Sequence, residues 1–124
     1  MSQIKPFIKT PSRMEGYHDE GVTYLKVEEA ETLNSNYVRI RPGQSSNSAY
    51  GYHDDEEEIY FVIGGVGRMT LGDQTSEVKA GDVVFIPRNT FHQVTCTSDA
   101  DFEYYCVANF PDHAPKLQPI PRKG

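Results

Sequence analysis

Between positions 21 and 110, signals for chain reversal recur roughly every eight to twelve residues, which leaves room only for short elements. Pro42-Gly43, Gly64-Gly65, Gly72-Asp73 and Gly81-Asp82 are the clearest. Glycine reaches positive φ without steric cost, and proline presets φ for a turn. The runs between the signals are 22–27, 37–41, 49–53, 58–63, 68–71, 76–79, 83–86, 92–97 and 102–108, rich in Val, Ile, Tyr, Phe and Thr. Such side chains fit a pleated, half-buried surface, so these runs read as strands. Only 28–33 leaves room for a helical turn. Short strands joined by tight turns give an all-β sandwich or barrel.

The ends read differently. Residues 1–20 hold Pro6, Pro11 and Gly16 without sustained periodicity and read as an N-terminal arm. Residues 111–124 contain Pro111, Pro115, Pro119 and Pro121, which excludes a helix or a central strand. They read as an extended C-terminal tail, leaving 21–110 as one β domain, as expected for 124 residues. Eight Tyr and six Phe supply core area in the absence of Trp, and that aromatic content argues against disorder.

Charge and hydropathy exclude several functions. The longest apolar run, Ile59-Tyr60-Phe61-Val62-Ile63, is far short of the roughly 20 residues of a membrane helix. No signal-peptide core stands near the N-terminus, so no membrane partner is expected. A net charge of −6 with scattered Lys and Arg is unsuited to a phosphate backbone, and no nucleic-acid partner is expected. If Cys96 and Cys106 lie on neighbouring antiparallel strands joined around 98–101, Cys96 falls opposite Phe102 or Glu103. Two free thiols and a cytoplasmic location are therefore expected.

The 58–63 run is apolar on both alternating faces, Tyr60/Val62 and Ile59/Phe61/Ile63. A strand covered on both sides needs two covers, and so small a domain has little to spare for the second. A homodimer supplies it from a partner copy; the alternative is that the N-terminal arm folds over the outer face.

Candidate ligands for chemistry gather in two distant segments, Gly51-Tyr52-His53-Asp54-Asp55-Glu56-Glu57-Glu58 running on to Gly65, and Gly81-Asp82-Val83-Val84-Phe85-Ile86-Pro87-Arg88-Asn89-Thr90-Phe91-His92 running on to Cys96. Together they resemble the two motifs of the cupin superfamily. Glu58 followed by six residues and Gly65 meets the first motif, with His53 in its second-histidine position. Gly51 stands where the first histidine would be, and Gly43 lies two residues too far upstream. In the second motif Gly81, Pro87 and His92 fall in place, while Asn89 replaces a glycine and Cys96 the final asparagine. The resemblance implies a double-stranded β-helix, or jelly-roll barrel, in a small single-domain protein with a partly degenerate metal motif.

The spacing has its own physical sense. Glu58, Tyr60 and Val62 share one face of a strand, so Glu58 begins a stripe along the cavity if that face points inward. His53 lies beyond an acidic corner where the chain can reverse, and His92 follows the Pro87 strand end. Two imidazoles and a carboxylate suit Fe(II), Mn(II), Ni(II) or Zn(II) and leave positions for substrate and water. One reading is a mononuclear metal site of His53, Glu58 and His92, with water, Cys96 or His18 as a fourth ligand. The other is a metal-free cupin in which the same groups only hydrogen-bond.

Gly51, Val62, Val94, Cys96, Phe102 and Tyr104 are the expected pocket lining. Tyr60 either donates a proton or packs with its hydroxyl tied down. Val38 and Ile40 are expected inward, with Arg39 and Arg41 outward. The acidic run 54–58 lacks the ligand spacing of a calcium loop, and four of its five members read as a solvated corner. His18 and His113 read as surface histidines. The resemblance implies a metal-dependent enzyme on a small polar metabolite, of oxygenase, lyase, decarboxylase or isomerase type. The alternative is a non-catalytic small-ligand-binding barrel, with or without metal.

Overall fold

A computed structural model describes residues 6–10, 17–19, 21–29 and 31–115, with side chains for 6–10, 21–23 and 31–115. The strands are β1 (Tyr17–Asp19), β2 (Val22–Glu29), β3 (Leu33–Ile40), β4 (Glu57–Gly64), β5 (Val66–Leu71), β6 (Gln74–Lys79), β7 (Val83–Ile86), β8 (His92–Cys96) and β9 (Phe102–Asn109). Six form one antiparallel sheet in the order β1-β2-β3-β9-β4-β7, and three form a second in the order β6-β5-β8. Backbone bonds from Gly43 to Cys96 and from Ser46 to Val94 lay residues 43–46 along the free edge of β8.

Inward side chains of both sheets make one core. Val38 and Ile40 of β3, Tyr60 and Val62 of β4, Met69 of β5, Val78 of β6, Val84 and Ile86 of β7, Val94 and Cys96 of β8, and Phe102, Tyr104 and Cys106 of β9 are all buried in it. The period-two alternation is clearest in β9, where Phe102, Tyr104, Cys106 and Ala108 are buried and their neighbours only partly so. Arg39 and Arg41 point away from the core, both within 4 Å of Asp101.

Local expectations fail in two places. Residues 49–53 are not a strand: Ser48–Tyr50 is a 3-10 turn whose first free N–H, that of Ala49, bonds the Asn47 side chain at 2.9 Å. An asparagine before a turn competes for the backbone in this way, and it outweighs the strand preference of Tyr50 and Tyr52. Nor is 28–33 a helical turn. β2 runs on through Glu29 with a bulge between Lys26 and Glu28, and β3 begins at Leu33 opposite Asn109. Ladder bonds on both sides of β3 override the local composition. Within the N-terminal arm, Tyr17–Asp19 add a strand to β2.

Gly65, the glycine that closes the first motif, joins β4 to β5 at φ +76°. A Cβ there would meet the Asp101 carbonyl oxygen at 2.3 Å, so the turn excludes every side chain. The two cysteines are free, as expected, but not for reasons of register: β8 and β9 lie in different sheets and do not pair, and the Cys96 thiol bonds the Ala100 carbonyl while the Cys106 thiol bonds Glu58. No helix among the described residues is long and apolar enough to cross a membrane.

Candidate metal centre

His53, Glu58 and His92 offer one ligand atom each, and the three atoms lie within 4.8 Å of one another. They come from three different places. Glu58 is on β4 and points inward between Ile86 of β7 and Ala108 of β9, its register partners. His92 opens β8. His53 sits in the loop after the 3-10 turn, and two short backbone bonds stitch that loop to the chain leading into β8. The His92 N–H donates to the Gly51 carbonyl, and the Asn89 N–H donates to the His53 carbonyl, both at 2.7 Å. Asn89 reaches the second bond by adopting φ 61°, a conformation asparagine tolerates better than most residues, and it stands where the motif has glycine.

The same stitching explains Gly51. A Cβ at that position would lie 2.5 Å from the His92 carbonyl oxygen and 2.9 Å from the Phe91 ring. The position that carries the first motif histidine is here pressed against the backbone of another ligand. A histidine at 51 would have to displace that backbone before it could serve the centre.

Each ligand side chain has one atom engaged behind it and one left facing the others. His53 places Nδ1 3.3 Å from Glu56 Oε1, and Glu58 accepts the Cys106 thiol on Oε2 at 2.8 Å. His92 Nδ1 is 3.5 Å from the Thr90 carbonyl. The remaining atoms converge: Glu58 Oε1 is 3.1 Å from His92 Nε2 and 3.5 Å from His53 Nε2. Despite this proximity Oε1 is buried without a well-aligned hydrogen bond. Outer-shell contacts that turn the working atoms of ligands toward one point are characteristic of metal sites. A buried carboxylate oxygen without a partner is costly unless something satisfies it. The donor set, two imidazole nitrogens and one carboxylate oxygen, fits a divalent transition metal.

The electrostatics agree with that role. Burial lowers the His53 pKa below its ordinary 6.5, with Glu58 opposing and His92 adding to the effect, so the imidazole is neutral as a ligand must be. Burial acts to raise Glu58, but its contacts with His92, Cys106 and His53 prevail and hold it below 4.5. Burial and the Glu58 charge push the Cys106 thiol well up, so it remains a protonated donor.

Of the residues expected to line a pocket, Tyr104 is buried against Tyr60, the candidate proton donor, which in turn lies beside His92. Their rings stack at 4.3 Å, and Tyr60 presents its ring edgewise to His92 at 6.0 Å. Burial keeps the Tyr60 hydroxyl protonated, its pKa well above 10. Val62, Val94, Phe102 and Cys96 are buried in the same core. The Cys96 thiol donates to the Ala100 carbonyl at 3.2 Å, beyond the far end of β8. Cys106 is the cysteine beside the carboxylate. The side chain of His18 lies outside the described residues.

Two ligand-supporting residues went unnoticed in the sequence. Glu56 is buried behind His53, not part of a solvated corner. Cys106 alternates with Phe102 and Tyr104, so its inward face was legible, but its level along the barrel depends on pairing with Tyr60 of β4. The C-terminal segment also reaches both ligand loops. His113 Nε2 is 3.1 Å from Asp55, and Asp112 pairs with Arg88 at 2.8 Å.

A barrel of two antiparallel sheets with this cluster inside its core has the architecture of a cupin. The Cupin domain family matches residues 36–108, and the chain belongs to that family. An uncharacterized protein of Methanocaldococcus jannaschii is 36% identical over 59 residues, 48% of this chain and 47% of that one. The oxalate-binding protein of Thermotoga maritima is 28% identical over 71 residues, 57% of this chain and 59% of that one. The chain thus spans about half the length of these curated relatives. A crystal structure of a Klebsiella pneumoniae protein with a double-stranded β-helix domain superposes with TM-score 0.76 at 18% identity, over 90% of this chain and all of that one.

Proposed function

We propose that this protein is a metal-dependent cupin enzyme acting on a small polar metabolite, with a short-chain carboxylate as the favoured substrate class. His53, Glu58 and His92 hold the metal, of the Fe, Mn, Ni or Zn type. The observation that carries this reading is the convergence of Nε2, Oε1 and Nε2 on one point while the opposite atom of each ligand is occupied. A bound divalent ion would supply Lewis-acid polarisation of a substrate oxygen. Glu56 holds the proton of His53 on Nδ1 and leaves Nε2 its lone pair. Cys106 directs Glu58 so that Oε1 faces the centre. Tyr60, buried and protonated, stacks on Tyr104 and forms a wall beside His92. Free thiols at both cysteines accord with a cytoplasmic setting.

A second reading, binding without turnover, is favoured by the relative named for oxalate binding. Metal analysis of protein supplied with metal under reducing conditions tests the site. About one ion per chain is expected in the parent, and none in His53→Ala, Glu58→Gln or His92→Ala. A metal-free parent would end the metalloprotein reading; metal retained in all three variants would move the site elsewhere. Calorimetric titration with oxalate beside a product assay separates binding from catalysis.

A further inference from the structure

Just beyond β9 the chain fastens itself to both loops that carry a histidine ligand. β9 ends at Asn109, opposite Glu57 of β4, so the following residues leave the sheet at the end of the barrel where Glu58 lies. Phe110 anchors them: its ring is buried, and its N–H donates to the Thr32 carbonyl at 2.8 Å. Pro111 and Asp112 are exposed, yet Asp112 and His113 reach two different loops. Asp112 Oδ2 accepts from Arg88 Nη1 at 2.8 Å, in the loop that leads to His92. His113 Nε2 is 3.1 Å from Asp55 Oδ2, in the loop that carries His53. The His113 ring lies 5.5 Å from the Phe110 ring, and its Nδ1 is 2.7 Å from the Ala114 carbonyl, so the imidazole is steadied by its own segment.

We infer that residues 110–114 form a clasp that holds the His53 and His92 loops together and thereby slows release of the metal, with Asp112 and His113 as its positioning residues. The two loops are joined by backbone bonds from Asn89 to His53 and from His92 to Gly51, and by an exposed side-chain bond of 3.3 Å from Tyr52 to Asn89. Loops joined by so few bonds open more readily than paired strands do. A metal held by one imidazole from each loop leaves when either loop swings away, so a restraint on both loops lengthens its stay. The clasp supplies that restraint from one anchored point, and its charges admit one seating. Asp112 meets a cation on the His92 loop, and His113 meets an acid on the His53 loop. Exchanging the two contacts would set Asp112 against Asp55, a like-charge pair. Arg88 is also the only Lys or Arg in residues 47–58 and 86–92, so Asp112 has a single cation to find there. The effect on metal release rests on the metal-site reading above, whereas the holding of the loops does not.

Hydrogen exchange of the metal-free full chain, read amide by amide, tests the clasp without any metal. An exposed ion pair by itself changes an equilibrium by up to about fivefold, so removing one contact and reversing the other should give about tenfold. In Asp112→Arg/His113→Ala the Asn89 and His92 amides should therefore exchange about tenfold faster than in the parent. The Cys96 amide, bonded to the Gln44 carbonyl at the other end of β8, should keep its rate. Reversing the pair, Arg88→Asp with Asp112→Arg, should return the Asn89 amide to within about threefold of the parent. With zinc loaded, transfer to an excess of chelator should be about tenfold faster in Asp112→Arg/His113→Ala, with about one ion per chain bound beforehand as in the parent. A parent that binds no metal removes the metal-site reading and leaves the amide comparison to decide the clasp. Unchanged exchange at Asn89 and His92, equal acceleration at Cys96, or no recovery in the reversed pair overturns the clasp. Faster amide exchange with unchanged zinc transfer overturns its role in metal release.

Discussion

The two faces of β4 differ by one residue in sequence and by everything else in environment. Inward, Glu58, Tyr60 and Val62 are buried, and the polar groups among them are held by neighbours: the carboxylate by the Cys106 thiol, the Tyr60 ring by Tyr104 and His92. Outward, Ile59, Phe61 and Ile63 are as apolar as the inner set, yet Phe61 and Ile63 are 43% and 50% exposed among the described residues. Hydrophobicity alone does not distinguish a buried face from an exposed one. What distinguishes them is whether the chain can bring a second sheet over the surface, and here β5, β6 and β8 cover only the inside.

The sharpest way to break that comparison is to truncate one ring on each face. Tyr60→Ala should cost about 3–5 kcal/mol in urea unfolding, because it removes a packed aromatic and leaves a cavity. Phe61→Ala should stay within about 0.5 kcal/mol, since that ring is already 43% exposed. Equal costs would mean that the outer face is covered within one chain.

The two cysteines sharpen the contrast along the barrel. Cys106→Ala should weaken metal affinity about 10–100-fold, as removal of an outer-shell contact does, while Cys96→Ala leaves affinity unchanged. Competition against a chromogenic chelator measures both. The opposite ranking would place the centre at the far end of β8, near Ala100.

The smallest effect is that of pH on the metal-free protein. His53 has a folded pKa below 6.5, so the unfolded chain binds the proton more readily, and stability falls as pH drops below 6.5. Glu58 has a folded pKa below 4.5, so its contribution is present above 4.5 and is lost as pH falls through the depressed value. Both act in the same direction, with a slope of at most about 1.4 kcal/mol per pH unit for each group. His53→Gln should flatten the upper part of the denaturation profile between neutral pH and 5. An unchanged profile would mean that the His53 ring is not buried as described.

How much of this was legible beforehand depends on the range over which each physical signal acts. Alternation and turn chemistry are properties of a few adjacent residues. They placed eight of the nine anticipated strands and correctly turned Val38 and Ile40 inward, while the resemblance to the cupin motifs singled out His53, Glu58 and His92 as candidate ligands. Where a short side chain captured the backbone, as Asn47 does before Ser48, the same reasoning failed, because residues 49–53 carry strand-forming tyrosines in a turn. Glu56 was misplaced for a related reason. Within the run of five acids nothing local marks Glu56 as buried alongside Glu58; His53 does so, from across the loop.

The chain's own order of residues was enough to define an all-β barrel and its inward stripes, since these follow from steric preferences with a period of two, and the resemblance to the cupin motifs added three candidate ligands. Pairing between distant strands decided the rest. It set Cys106 and not Cys96 beside the carboxylate, pressed Gly51 onto the His92 backbone, and left Phe61, Val83 and Phe85 exposed on the outer side of β4 and β7. A shift of one residue in any ladder would reverse those outcomes without altering a single local preference, which is why they belong to the folded molecule alone.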